Sequence, residues 1–109
     1  MNKKVVVLDI VALMPELLGD NTPNLNRLIE KSFISPLSGV FPAVTTTAQS
    51  TMVTGLQPQQ HGIVGNGWYE RDHAEVMFWK QSNRLVQGKK IWDILKEKNT
   101  EFTCSKLFW

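Results

Sequence analysis

The sequence predicts an α/β fold, an α/β sandwich with a central, mostly parallel sheet flanked by helices, from three observations. Residues 4–10 open with an apolar, β-branched run, Lys4-Val5-Val6-Val7-Leu8-Asp9, whose lack of alternation suits a strand buried on both faces. Helical spacing of apolar residues recurs around Leu25, Val53 and Ile94. Strand-like runs lie between these segments, and strands alternating with helices argue for helices packed on a sheet. At 109 residues the chain has the length of one modest domain, assigned to residues 1–109.

Asp9 stands where the first strand ends, the place where open parallel sheets put their ligands. By itself it is equally well a capped or hydrogen-bonded structural carboxylate, because a buried acid without a partner is costly. Residues 11–20 read as an irregular link through Pro15 and Gly19. Thr22-Pro23 then gives a cap followed by proline at the first helical position. Leu25, Leu28 and Ile29 form the apolar stripe of a helix expected to cover the sheet. Residues 32–40 carry Phe33, Ile34, Leu37 and Val40 around Pro36, which predicts a short irregular strand at an edge or bulge.

The stretch 41–66 is organised around a turn that becomes a helix. Pro42 cannot continue a central strand, and Thr45, Thr46 and Thr47 favour a helix N-terminus, where their side-chain oxygens can accept hydrogen bonds from free N–H groups. Ala48, Met52 and Val53 can share a face, while Gly55 and Pro58 stop the helix. A hydroxyl at such a helix start lies where N–H groups and the macrodipole favour an anion such as phosphate. On local evidence alone, capping is the simpler role. His61 falls in the turn after this helix, where a structural hydrogen bond is the plainer expectation, and His73 falls in a polar turn.

Residues 67–70 and 75–79 flank that polar turn and predict a β-hairpin. Its tryptophans, Trp68 and Trp79, are either packing or a wall for substrate. Ile91, Ile94 and Leu95 mark a second sheet-covering helix, and residues 101–104 follow as the next parallel strand by a right-handed crossover. Cys104 is the single cysteine, which excludes an intrachain disulfide and suggests a small buried thiol. The net charge of +2 is spread among acids, so no footprint for a nucleic-acid polymer exists. Lys3 and Lys4 precede an apolar run that Asp9 cuts short, so neither a signal-peptide core nor a membrane span is predicted, and a cytoplasmic location is expected.

Asp9 after Val5-Val6-Val7-Leu8, Pro42-Ala43-Val44-Thr45 before a helix, Val53-Thr54-Gly55-Leu56-Gln57-Pro58, and His61-Gly62-Ile63-Val64-Gly65-Asn66 together resemble the amino-terminal part of the nucleotide pyrophosphatase/phosphodiesterase (type I phosphodiesterase) family. That family belongs to the alkaline phosphatase superfamily. The resemblance implies an alkaline-phosphatase-like sandwich with a β-hairpin insertion and a metal-dependent phosphodiester or pyrophosphate hydrolase acting through a threonine phospho-enzyme. It implies Asp9 as a zinc-ligand aspartate, Thr45 as nucleophile and metal-bound oxygen, and Asn66 as a donor to a non-bridging phosphate oxygen. The implied cofactors are two divalent metal ions, Zn²⁺ in the family.

His61 and His73 are the only histidines, too few for the ligand set that such a centre implies. The remaining ligands are therefore expected downstream. The three apolar residues Leu107, Phe108 and Trp109 at the end support the same expectation of an amino-terminal fragment, inactive alone, whose missing downstream part is its partner. The implied substrate is a small phosphodiester or nucleotide. Nucleotide-cleaving relatives often carry Phe after the nucleophile and Asn two positions further, whereas this chain has Thr46 and Ala48, which weakens the expectation of base recognition. Hydrolysis of phosphate monoesters, sulfate esters or phosphonates stays open as an alternative, as does a truncated module without catalysis.

Overall fold

A computed structural model describes residues 4–107, so Lys3 and the terminal Phe108 and Trp109 lie outside the described residues. The chain divides into two compact units, Met1–Leu37 and Ser38–Trp109.

In the first unit, a single 3₁₀ turn at Pro15–Leu17 precedes helix α1 (Pro23–Ile29). Pro23 opens α1 as expected, because its missing N–H costs nothing at a helix start. Thr22 occupies the cap position without capping. Its hydroxyl bonds back to Gly19, accepting from the N–H at 2.9 Å and lying 3.1 Å from the carbonyl, while Asn26 Nδ2 donates to the same carbonyl at 2.8 Å. The helix buries no residue, contrary to its expected role as a cover for the sheet. Residues 4–10 form no strand, and Val5 is 82% exposed. The predicted central strand is therefore not formed among the described residues. A parallel strand exists only through neighbours that satisfy its N–H and C=O groups, and the described sheet holds only the hairpin strands.

The second unit carries helix α2 (Thr45–Thr54), the one-turn helix α3 (Pro58–His61), strands β1 (Gly67–Glu70) and β2 (Glu75–Phe78), and helix α4 (Ile91–Lys98). Helix α2 ends on Gly55 at φ 68, a left-handed conformation that glycine adopts without a Cβ clash, and its N–H returns to Thr51 O at 2.8 Å. Strands β1 and β2 pair antiparallel with Trp68 opposite Met77 and Tyr69 opposite Val76, the predicted hairpin. At Gly67 a Cβ would lie 2.6 Å from the Phe78 ring and 3.1 Å from Met77 O, so this close strand pairing requires glycine. Residues 32–40 and 101–104 form no strand, and Cys104 is exposed, not buried.

The buried face of α2 also differs from expectation. Thr47, Ser50 and Val53 are buried at i, i+3 and i+6, whereas Met52 is 48% exposed. Small hydroxyl side chains let α2 approach its neighbour α3, whose Pro58 and His61 are buried. His61 is fully buried and is the link between segments: the Ile63 N–H donates to Nδ1 at 3.1 Å, and Nε2 lies 2.9 Å from Thr51 Oγ1 on α2. Since Nδ1 accepts, the neutral ring carries its proton on Nε2 and donates it to Thr51. Burial pushes the His61 pKa down, against a smaller opposing effect of its backbone hydrogen bond.

Candidate active site

The N-terminus of α2 is capped from a distance. Val44 holds the cap position in an extended conformation and makes no side-chain cap bond, and none of the three threonines caps locally. Instead the side chain of Asn66, twenty residues on, fills that role: the Thr46 N–H donates to Asn66 Oδ1 at 3.1 Å. The Thr46 hydroxyl lies 2.7 Å from Gly65 O and 3.0 Å from the same Oδ1. An amide that accepts from a backbone N–H must present its oxygen, so the Oδ1/Nδ2 assignment follows from the contact itself. The Asn66 main chain is fixed as well, because the Trp79 N–H donates to Asn66 O at 2.9 Å across the mouth of the hairpin.

This arrangement brings Thr45 and Asn66 to one groove of about 530 Å³. Thr45, the first residue of α2, is exposed, while Thr47 turns inward with its hydroxyl buried and unpartnered among the described residues. Trp68 and Trp79 line the same groove, and the Trp79 ring also meets the Phe78 ring edge-on with centroids 5.8 Å apart. Lys80 and Lys106 are also on the lining, and no Asp or Glu is. The groove thus combines the positive end of a helix dipole with two ammonium groups, of which Lys80 also faces the Glu75 carboxylate at 3.7 Å and Lys106 lies over the Trp92 ring at 4.3 Å.

The far wall comes from residues 81–90, which have no repeating structure of their own. Lys90 is buried at the start of α4, and its ammonium donates to Val86 O at 2.7 Å, Asn83 O at 3.1 Å and Gly88 O at 3.2 Å. Three donors meet three carbonyls, which lets a buried cation persist. The Gln87 N–H donates to His61 O at 2.9 Å, tying this wall to α3.

Asp9 belongs to the first unit, at the end of the exposed opening segment. Carboxylate and hydroxyl oxygens of the Asp9 and Thr45 type suit a divalent cation. Among the described residues no group of three His, Cys, Asp or Glu side chains could hold one, so these residues do not make a closed metal centre. His73 sits in the exposed hairpin turn. The sequence did not single out Lys80, Lys90 or Lys106, and it treated Thr46 as a possible local cap and as the place of a missing aromatic ring. The signal for Thr46 was available, since a hydroxyl at the second helical position can reach a neighbouring loop.

A helix start bearing an exposed threonine, an amide anchored beside it and two lysines thus share one groove. The chain matches the profile of the type I phosphodiesterase / nucleotide pyrophosphatase family over residues 5–109 and belongs to that family. A curated relative is an uncharacterised pyrophosphatase/phosphodiesterase of Schizosaccharomyces pombe, 44% identical over 50 residues, a match covering 45% of this chain and 10% of that protein. The matched stretch thus spans about a tenth of the length of that relative. No solved structure gives a significant match. No helix among the described residues is long and apolar enough to cross a membrane.

Proposed function

We propose that this chain supplies the nucleophile-bearing part of a phosphodiester or pyrophosphate hydrolase, within an alkaline-phosphatase-like sandwich of which residues 1–109 are one portion. The observation that carries the proposal is the Thr46 N–H to Asn66 Oδ1 bond beside the exposed Thr45, because it leaves the Asn66 Nδ2 donors for a substrate oxygen. Thr45 Oγ attacks phosphorus as its proton passes to solvent, the bond from phosphorus to the leaving oxygen breaks, and water then attacks the phosphothreonine, breaking its P–Oγ bond to free the phosphate product and Thr45. Asn66 Nδ2 and the Thr45 N–H donate to a non-bridging oxygen as its charge grows. Lys80 and Lys106 raise the local concentration of the anionic substrate.

Asp9 and the Thr45 oxygen are proposed as this chain's donors to two divalent ions, with Zn²⁺ the proposed metal. When bound, such ions lower the pKa of a coordinated hydroxyl and steady the leaving oxygen. The substrate is a small phosphodiester or nucleotide and not a nucleic-acid polymer, for which the overall charge of +2 gives no extended basic surface.

The test is turnover of bis(4-nitrophenyl) phosphate by the full-length protein. Thr45→Ala is expected to remove nearly all hydrolysis while leaving the fold intact, with Thr47→Ala far milder. A fully active Thr45→Ala variant would assign the nucleophile elsewhere.

A further inference from the structure

We infer that Thr46 is a positioning residue that locks the orientation of Asn66, so that the Asn66 amide meets substrate with its donors already aimed. The inference rests on the reading of Asn66 as a phosphate-oxygen donor. The terminal torsion of an asparagine is broad and roughly two-fold, so an unrestrained amide presents oxygen or nitrogen to substrate with little preference. Here the Thr46 N–H selects one face at 3.1 Å, since turning the amide over would set a donor against a donor.

The Thr46 hydroxyl completes the restraint. It is anchored to Gly65 O at 2.7 Å and lies 3.0 Å from Asn66 Oδ1, so its single hydrogen is shared between the two oxygens. Both oxygens belong to the residues that lead into β1, and the Trp79 N–H holds Asn66 O from the other strand. Main chain and Oδ1 are thereby fixed together, and Nδ2 is the end of the amide that these contacts leave for substrate. Donors fixed before reaction need no reorganisation when charge develops on the oxygen they face. A hydroxyl that merely stiffened the turn would affect stability and leave turnover alone.

Thr46→Val separates these roles, because it keeps the N–H and the branched shape and deletes the hydroxyl. In the full-length protein acting on bis(4-nitrophenyl) phosphate, kcat is expected to fall about tenfold, less than the loss of a whole oxyanion donor, with KM changed less than about threefold. Thr46→Ser is expected to restore kcat, and Thr46→Ala serves as a second deletion read in the same way should valine disturb folding. In an Asn66→Ala background, Thr46→Val is expected to cause no further fall, because the two act as one unit.

An impaired Asn66→Ala protein with a fully active Thr46→Val overturns the inference alone, as does a Thr46→Val loss repeated in full without Asn66. An Asn66→Ala protein with unchanged kcat overturns the role of Asn66 and this inference with it. Binding of inorganic phosphate is the second readout and is expected to weaken in the same order of variants. A wild-type protein that neither hydrolyses the diester nor binds phosphate overturns both.

Discussion

His61→Ala should destabilise the protein by about 3–5 kcal/mol, and the amount can be built from its contacts. The Ile63 N–H is buried and loses its acceptor, which costs about 1–3 kcal/mol for an unpaired group. Thr51 Oγ1 loses the Nε2 donor at 2.9 Å, about 1 kcal/mol, and removal of a fully buried ring leaves a cavity that adds further loss. That total is a large share of the roughly 5–15 kcal/mol that holds a typical protein folded. His61→Asn should be milder, about 1–2 kcal/mol, because its Oδ1 can replace Nδ1 as acceptor for Ile63 while the Thr51 bond is lost.

The same residue gives the stability a pH dependence of defined sign. Folding lowers the His61 pKa below its ordinary 6.5, so between that value and the lowered one the unfolded chain binds a proton that the folded chain refuses. Stability is complete above about pH 6.5 and falls as pH drops, with a contribution of up to about 1.4 kcal/mol per pH unit, until the folded-state pKa is passed and the loss levels off. Urea unfolding at pH 7.5, 6.5, 5.5 and 5.0 measures this, with His61→Asn as the control that lacks the titrating ring. Equal pH dependence in wild type and His61→Asn, or a His61→Ala loss below about 1 kcal/mol, would refute the assignment of His61 as the neutral link between α2 and the turn.

Thr47→Val should be neutral or stabilising by about 1 kcal/mol, since it replaces a buried, unpartnered hydroxyl by a methyl of the same shape; a marked loss in urea unfolding would show that the hydroxyl has a partner. Among adenosine, uridine and simple aryl phosphodiesters, kcat/KM of the full-length protein should differ by less than about a hundredfold, close to 3 kcal/mol, because Thr46 offers no ring for stacking. If Trp79 on the groove wall supplies a stacking surface, Trp79→Ala will lower kcat/KM more for the nucleotide diesters than for a dialkyl diester, and equal losses would exclude that role.

What could be read from the sequence was what local chemistry decides. Proline at position 23, threonine at 45 and glycine at 55 bracket α1 and α2 because cap and terminus preferences act within a few residues. The polar turn at 71–74 bracketed the hairpin in the same way. The opening segment could not be settled so, because its strand character depends on neighbours that no local pattern specifies. Asn66 and Thr45 were paired through resemblance, but the means of pairing was not legible: a side chain twenty residues away caps α2, and Thr46 contributes hydrogen bonds where the comparison with relatives suggested only a lost ring. His61 was expected to be structural, yet its partner Thr51 carried no signal beyond its hydroxyl.

The Lys90 ammonium has a consequence for amide exchange. Residues 81–90 lack a ladder or helix to slow exchange, and a wall of that kind would ordinarily open in small, independent fluctuations. One cation bound to the carbonyls of 83, 86 and 88 makes those fluctuations concerted, since freeing any one of these carbonyls strains the other two bonds. The Gln87 N–H, donated to His61 O, therefore exchanges only when both the cation cage and the end of α3 give way. Its protection reports the opening of the groove wall.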